Sequence, residues 1–278
     1  MKDGTKHRQI TRAVLIILLL LRIPYTIAII YFLPIENQTG AAVYEISTYS
    51  LIAFLIWWER ERLLDFHIDS LALFFIIFIR PIQTLILNYW KVDSPLAFPY
   101  LPGLLLWGIS LGLALALGKS GFKPARLSHQ SLSWLIAGLF VGAGVSVLEN
   151  LSAFLPGLRN STGSSSLLGS SSLVLLYHLG FAPINEEPLF RGFLWGYLRQ
   201  SQWKEIPILF LQALLFTVAH VYFANQYPLT FWVLIPIAAL LFGILTLRAR
   251  SIAPAILAHG LVNGAAYVWI LNLIGLFQ

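Results

Sequence analysis

Asn185-Glu186-Glu187-Pro188-Leu189-Phe190-Arg191-Gly192 decides how this chain is read. Two adjacent carboxylates and an arginine lie within the mostly apolar run from Leu173 to Leu198. In hydrocarbon each such charge costs roughly 2.5–3.5 kcal/mol on insertion scales. Charges are kept there either as an internal ion pair that pins helices or for chemistry. Glu187 and Arg191 stand at i and i+4, acid before base, and share one helix face. They read as a neutralising pair. Glu186 is rotated about 100° from Glu187, so it points elsewhere and needs a partner on another helix.

The surroundings set the class. Of 278 residues, 58% are hydrophobic and 11% charged, against about 25% charged in a globular protein. Several apolar runs reach the roughly 20 residues needed to cross a bilayer. They lack the two-residue alternation of a membrane barrel. The expectation is an all-α, polytopic integral membrane helical bundle whose partner is the lipid bilayer. Cysteine is absent, which excludes disulfides, thiolate metal sites and a cysteine nucleophile. The net charge of +6 does not point to nucleic acid. It fits the basic bias of cytoplasmic loops. Residues 1–8 are basic and precede an apolar run, like a signal peptide. The run from Ile10 to Leu33 is too long for that and reads as the first span.

About nine spans are expected, at 10–33, 43–58, 68–90, 98–117, 134–154, 173–198, 206–222, 230–247 and 252–276. Loop charge tests the count. With the N-terminus inside, one set of loops holds twelve basic residues: Lys2, Lys6, Arg8, Arg60, Arg62, Lys119, Lys123, Arg126, Arg199, Lys204, Arg248 and Arg250. The other set holds Lys91 and Arg159, while Arg12, Arg22, Arg80 and Arg191 fall within spans. This asymmetry places the N-terminus in the cytoplasm and the C-terminus outside. The Gly- and Ser-rich loop 155–172 reads as a mobile outer connection. The expected division is 1–130, transmembrane helices without recognised motifs, and 131–278, a core whose motif region spans about 183–264.

Lesser signals are structural. Gly108/Gly112 and Gly138/Gly142 are small-xxx-small pairs expected at close helix contacts. Gly118-Lys119-Ser120 lacks the earlier glycine of a phosphate loop and reads as a helix end. Asn37-Gln38-Thr39 and Asn160-Ser161-Thr162 are glycosylation-type triplets on the outer side.

The polar inventory of the spans is short. Glu149, Glu186 and Glu187 are the acids well inside, and His178, His220 and His259 the histidines. Phe216 and His220 stand at i, i+4, as do His259 and Asn263, with Gly260 and Gly264 beside the latter pair. Each pair alone reads as interhelical packing. Together, a carboxylate, two imidazoles and a carboxamide from three helices make a general-base set for water with donors for a developing oxyanion. Depth does not match: counted from the cytoplasmic loops, Glu186 and His259 differ by about 7–8 Å at 1.5 Å per residue.

Glu186-Glu187-Pro188-Leu189-Phe190-Arg191, Phe216-xxx-His220 and His259-xxx-Asn263, in this order, resemble the three motifs of the CPBP family. That family comprises CAAX prenyl protease type 2, abortive-infection and bacteriocin-processing proteins. The resemblance implies an intramembrane endopeptidase. It implies Glu186 as water-activating base, His220 and His259 as site histidines, and Asn263 as oxyanion-stabilising residue. Glu187 and Arg191 would brace the motif helix, and Phe216 would be the aromatic of the second motif. Pro188 departs from the pattern and is expected to unwind part of the span. A metal-free glutamate mechanism without cofactor is expected. Zinc held by Glu186, His220 and His259 is the alternative. The implied substrate is a peptide or membrane protein, prenylated in the CAAX case, and the implied location a prokaryotic plasma membrane. The rival readings are a non-enzymatic immunity or scaffolding protein and, with less support, a transporter. Against transport, the two halves show no matching interrupted segments.

Overall fold

The computed structural model describes residues 2–32, 38–89, 101–121, 129–153 and 178–275. Among the described residues the chain is helical and forms no strand. Among the described residues nine long helices follow one another: α1 (2–32), α2 (38–58), α3 (70–89), α4 (101–119), α5 (129–153), α6 (183–200), α7 (205–218), α8 (230–249) and α9 (253–275). Among these residues three stretches are long and apolar enough to cross a membrane: Thr5–Ala28, Gln130–Glu149 and Thr230–Ala249. Loop 155–172, both glycosylation-type triplets in whole or part, and Lys91, Lys123, Arg126 and Arg159 lie outside the described residues.

The molecule is apolar outside and charged inside. Leu132, Ile136 and Phe140 form an exposed stripe on α5, and Ile206, Phe210 and Leu214 one on α7. Both repeat every four residues, as a lipid-facing helix surface does. The interior encloses Arg22, Glu45, Arg80, Glu186, Glu187 and Arg191, each at most 5% exposed. A water-soluble fold has the opposite distribution.

Two span boundaries need correction. The run 173–198 is not one helix. A turn at 180–182 precedes Pro183, which opens α6, where proline's missing N–H costs nothing. The span expected at 206–222 ends as an α-helix at Val218, and His220 lies in the turn beyond it. The helices are also wider than expected in places. Leu21–Tyr25, Phe75–Ile79, Pro188–Leu194 and Thr230–Leu234 adopt π-helical turns. Pro188 therefore does not unwind α6. Its missing donor is absorbed by widening the helix, which continues to Gln200.

Helix contact depends on glycine at one of the two expected places. A Cβ on Gly138 would lie 2.5 Å from the Pro254 carbonyl oxygen, and one on Gly142 2.8 Å from that of Ala258. Helices α5 and α9 thus meet backbone to backbone. Gly108 and Gly112 have nothing within 4 Å of a Cβ position. That pair is not a contact among the described residues.

The depth mismatch has a structural cause. The turn before α9 is tucked inside: Ser251, Ile252 and Ala253 are buried, and the Ile252 N–H donates to the His67 carbonyl at 2.8 Å. The His67 ring meets the indole of Trp195 on α6 edge-on at 6.0 Å. The separations from 186 to 195 on α6 and from 252 to 259 are then about 13 and 10 Å at roughly 1.5 Å per residue, so most of the mismatch disappears. The two motif helices start from one level once the buried turn replaces the loop end as the reference.

His67 holds this level. It sits in a left-handed turn (φ 56°) and is 2% exposed. Burial, with Arg199 and Arg250 nearby, pushes its imidazole down to about 4. The folded protein keeps His67 neutral, whereas the unfolded chain protonates it near 6.5. Stability is therefore full above about pH 6.5 and falls as pH drops toward 4, by up to about 3 kcal/mol. Denaturation midpoints of the detergent-solubilised protein will decline across that window. His67→Asn, which tolerates the left-handed turn, will flatten the decline. A second measurement separates the glycine pairs. Gly142→Leu will lower stability by about 1–3 kcal/mol through overpacking, and Gly108→Leu will stay within about 0.5 kcal/mol.

Candidate active site

The site is assembled around the N-terminal turns of α6. Asn185, Glu186 and Glu187 are successive and all buried, so they radiate to three different neighbours. Each neighbour is supplied by a different part of the chain.

Glu187 faces α9 and its own helix. Its Oε1 accepts from Arg191 Nη1 at 3.2 Å and from His259 Nδ1 at 2.7 Å. The i, i+4 pair expected from the sequence is formed, with both side chains fully buried. It also carries an imidazole, a role the sequence reading did not give it. Arg191 donates a second bond from Nη2 to the Ala239 carbonyl on α8 at 3.1 Å.

Glu186 faces α1. Its Oε1 pairs with Arg22 Nη2 at 2.7 Å. Its Oε2 lies 3.7 Å from His220 Nε2 and is buried without a hydrogen-bond partner among the described residues. The same Arg22 nitrogen lies 3.1 Å from His220 Nε2. His220 is fixed at its other nitrogen, since Nδ1–H donates to the Phe216 carbonyl at 2.7 Å. That bond sets the tautomer and leaves Nε2 as the acceptor facing Arg22. The histidine keeps its i, i+4 relation to Phe216 although the helix has ended, because this bond replaces the helical ladder.

Asn185 faces α2. Its amide donates to Glu45 Oε2 at 3.0 Å. Arg80 on α3 donates to the same oxygen at 2.6 Å and to the Gly180 carbonyl at 2.6 Å. This second ion pair ties α2, α3 and the turn before α6 together.

Phe216 is the platform between the motifs. The Arg191 guanidinium lies 4.2 Å from its ring centroid. The His220 ring lies 4.5 Å away at 35°, and the His259 ring 5.7 Å away at 71°. Phe242 on α8 covers the other side of His259 at 5.5 Å. Asn263 follows one turn beyond His259 on α9 and is half-buried. Gly260 lets that helix approach: a Cβ there would lie 3.0 Å from the Leu179 Cα.

The structure thus brings together Glu186, Glu187, Arg191, Phe216, His220 and His259. Glu186 reaches His220, while Glu187 reaches His259. Glu186 Oε1 is taken by a guanidinium and His259 Nδ1 by Glu187. Among the described residues no group of three His, Asp or Glu side chains is gathered to hold a metal. A guanidinium nitrogen of Arg22 lies 3.1 Å from His220 Nε2.

Arg22, Glu45 and Arg80 were missed as site neighbours, because the first 130 residues carry no recognised motif. A signal existed: Arg22 and Arg80 are cations inside apolar runs, and each requires an acid.

A helical bundle with an apolar exterior and a buried set of carboxylates and imidazoles is a membrane protein with an enclosed polar centre. Residues 168–265 match the family model described as type II CAAX prenyl endopeptidase Rce1-like. No curated protein and no solved structure matches the chain. The matched residues contain every site residue named above except Arg22, Glu45 and Arg80.

Glu187 is the test of the brace. Glu187→Gln leaves Arg191 buried and unpaired, at a loss of about 3–5 kcal/mol, and frees the His259 ring. Purified yield and thermal midpoint will fall sharply. Glu187→Asp will fall less, because it keeps the charge.

Proposed function

We propose that the protein is an intramembrane endopeptidase in which Glu186 activates water against a peptide carbonyl. One observation carries this reading: Glu186 Oε2 is buried, without a hydrogen-bond partner among the described residues, and 3.7 Å from His220 Nε2. Leaving a buried acceptor unbonded costs about 1–3 kcal/mol. Glu187 Oε2 is also unbonded among the described residues, so what distinguishes Glu186 is that its unbonded oxygen faces an imidazole, 3.7 Å from His220 Nε2.

The Oε2 carboxylate oxygen takes a proton from a water bound to it beside the His220 ring. The water oxygen attacks the scissile carbonyl carbon. The resulting oxyanion is held by the Asn263 amide and by His259 Nε2–H. His259 donates when protonated, with Glu187 at its Nδ1 balancing the charge. Glu186 then passes its proton to the leaving nitrogen, and the C–N bond breaks. The charged groups act in an enclosed apolar setting, where fixed donors are worth most.

The substrate in this reading is a peptide or membrane protein. A prenylated C-terminal segment is the class that the family description names. The mechanism is metal-free, in keeping with the guanidinium beside Glu186 and His220. Orientation follows loop charge, with the N-terminus cytoplasmic and the C-terminus outside, in a prokaryotic plasma membrane.

Peptide hydrolysis by purified variants tests this. Asn263→Ala will lose about 10²–10³ in turnover, as removal of one oxyanion donor does, and will fold normally. Glu186→Gln will lose more, because the base itself is gone. The purified protein will contain no stoichiometric zinc, and 1,10-phenanthroline will not inhibit it. One zinc per chain, lost with activity in His220→Ala, would establish the metalloprotease alternative. Wild-type hydrolysis in Glu186→Gln would remove the enzymatic reading of this residue.

A further inference from the structure

We infer that Arg22 is a positioning residue of the active site, supplied by the first helix. Its role is to hold Glu186 so that one carboxylate oxygen is fixed and the other is free for water. The inference rests on the reading of Glu186 as the base.

Four observations support it. Arg22 is 4% exposed, so its charge is answered within the protein. One of its terminal nitrogens meets both Glu186 Oε1 at 2.7 Å and His220 Nε2 at 3.1 Å. It thereby fixes the spacing between carboxylate and imidazole. Tyr222, in the turn after His220, lies near enough to Arg22 to interact with its charge. The local backbone is adapted to present the residue. Leu21–Tyr25 is a π-helical turn containing Pro24, and the Thr26 hydroxyl donates to the Leu21 carbonyl at 3.1 Å. Wide turns of this kind redirect a side chain from the face a regular helix would give it.

A planar guanidinium can engage a carboxylate at both oxygens. Here the ion pair engages Oε1, and Oε2 stays without a partner among the described residues. The arrangement neutralises Glu186 without blocking it. It also occupies the lone pair of His220, which leaves Glu186 Oε2 as the proton acceptor nearest the imidazole.

The test uses the full chain in proteoliposomes with a peptide that the wild type cleaves, and measures kcat, KM and thermal midpoint for each variant. Arg22→Gln is expected to lower kcat about 10²-fold, the effect of misplacing a catalytic group by about 1 Å, with KM within about twofold. Arg22→Lys keeps the charge but not the fork, and is expected to lie between Arg22→Gln and wild type. Added guanidinium is expected to restore part of the turnover of Arg22→Ala. Wild-type kcat in folded Arg22→Gln would overturn the inference. If Arg22→Gln fails to fold, the decision passes to Arg22→Lys and Tyr222→Phe. A fall in kcat at unchanged KM in either supports the role, and wild-type kcat in both overturns it. Glu186→Gln is run in parallel. If it is inactive while the Arg22 variants match wild type, only this inference falls. If Glu186→Gln itself turns over normally, the base reading falls first.

Discussion

A charge inside an apolar bundle must be neutralised within the bundle, and the architecture follows from that constraint. Three carboxylates are buried at the site, and each has its own guanidinium: Glu45 with Arg80 at 2.6 Å, Glu186 with Arg22 at 2.7 Å and Glu187 with Arg191 at 3.2 Å. Two of the three pairs join separate helices. Losing either partner strands the other in a low dielectric, which is far worse than losing both. The pairs therefore act as registration pins. They fix α1, α2 and α3 against the N-terminal turns of α6, while Glu187 and Arg191 extend the same logic to α9 and α8.

Backbone irregularity serves the same end. Three of the four π-helical turns adjoin a buried charge. Leu21–Tyr25 contains Arg22, Phe75–Ile79 precedes Arg80, and Pro188–Leu194 follows Glu187 and contains Arg191. Proline occurs in two of these turns, at Pro24 and Pro188. A missing N–H is tolerable in a membrane helix where the freed carbonyl finds another donor or the helix widens. Pro188, which looked like a break in the sequence, lies where α6 widens and continues.

Much of the site was legible, and for definable reasons. Spacing of four residues placed Glu187 with Arg191 correctly because both lie on one helix and the widened turn keeps them together. The 100° offset correctly turned Glu186 away from that arginine. The identity of its partner was not legible, because nothing in a sequence says which of several distant cations will face a given acid. Arg22 and Arg80 were visible as intraspan charges, but they lie in a region without motifs. The nine helical segments were readable from hydropathy. Their ends were not, where Gly180 to Ala182 breaks an apolar run and where α7 stops short of His220. Hydropathy responds to composition, and both breaks are made by backbone geometry in residues that remain apolar. The tucked turn before α9 misled the depth count for a related reason: a loop was assumed to lie at the membrane surface, and this one is buried under His67.

That Arg22 is answered by Glu186 has a consequence for biosynthesis. The two are separated by most of the polypeptide, and at about 5–20 residues per second the arginine waits roughly 10–30 s for its acid. Throughout that interval the first helix is a segment with an unanswered cation, held at the translocation machinery or at the headgroup level by its own long side chain. It can settle only when the sixth helix arrives. Because Glu186 also gains its fixed geometry at that moment, the buried polar centre stays unorganised until α6 has docked against α1.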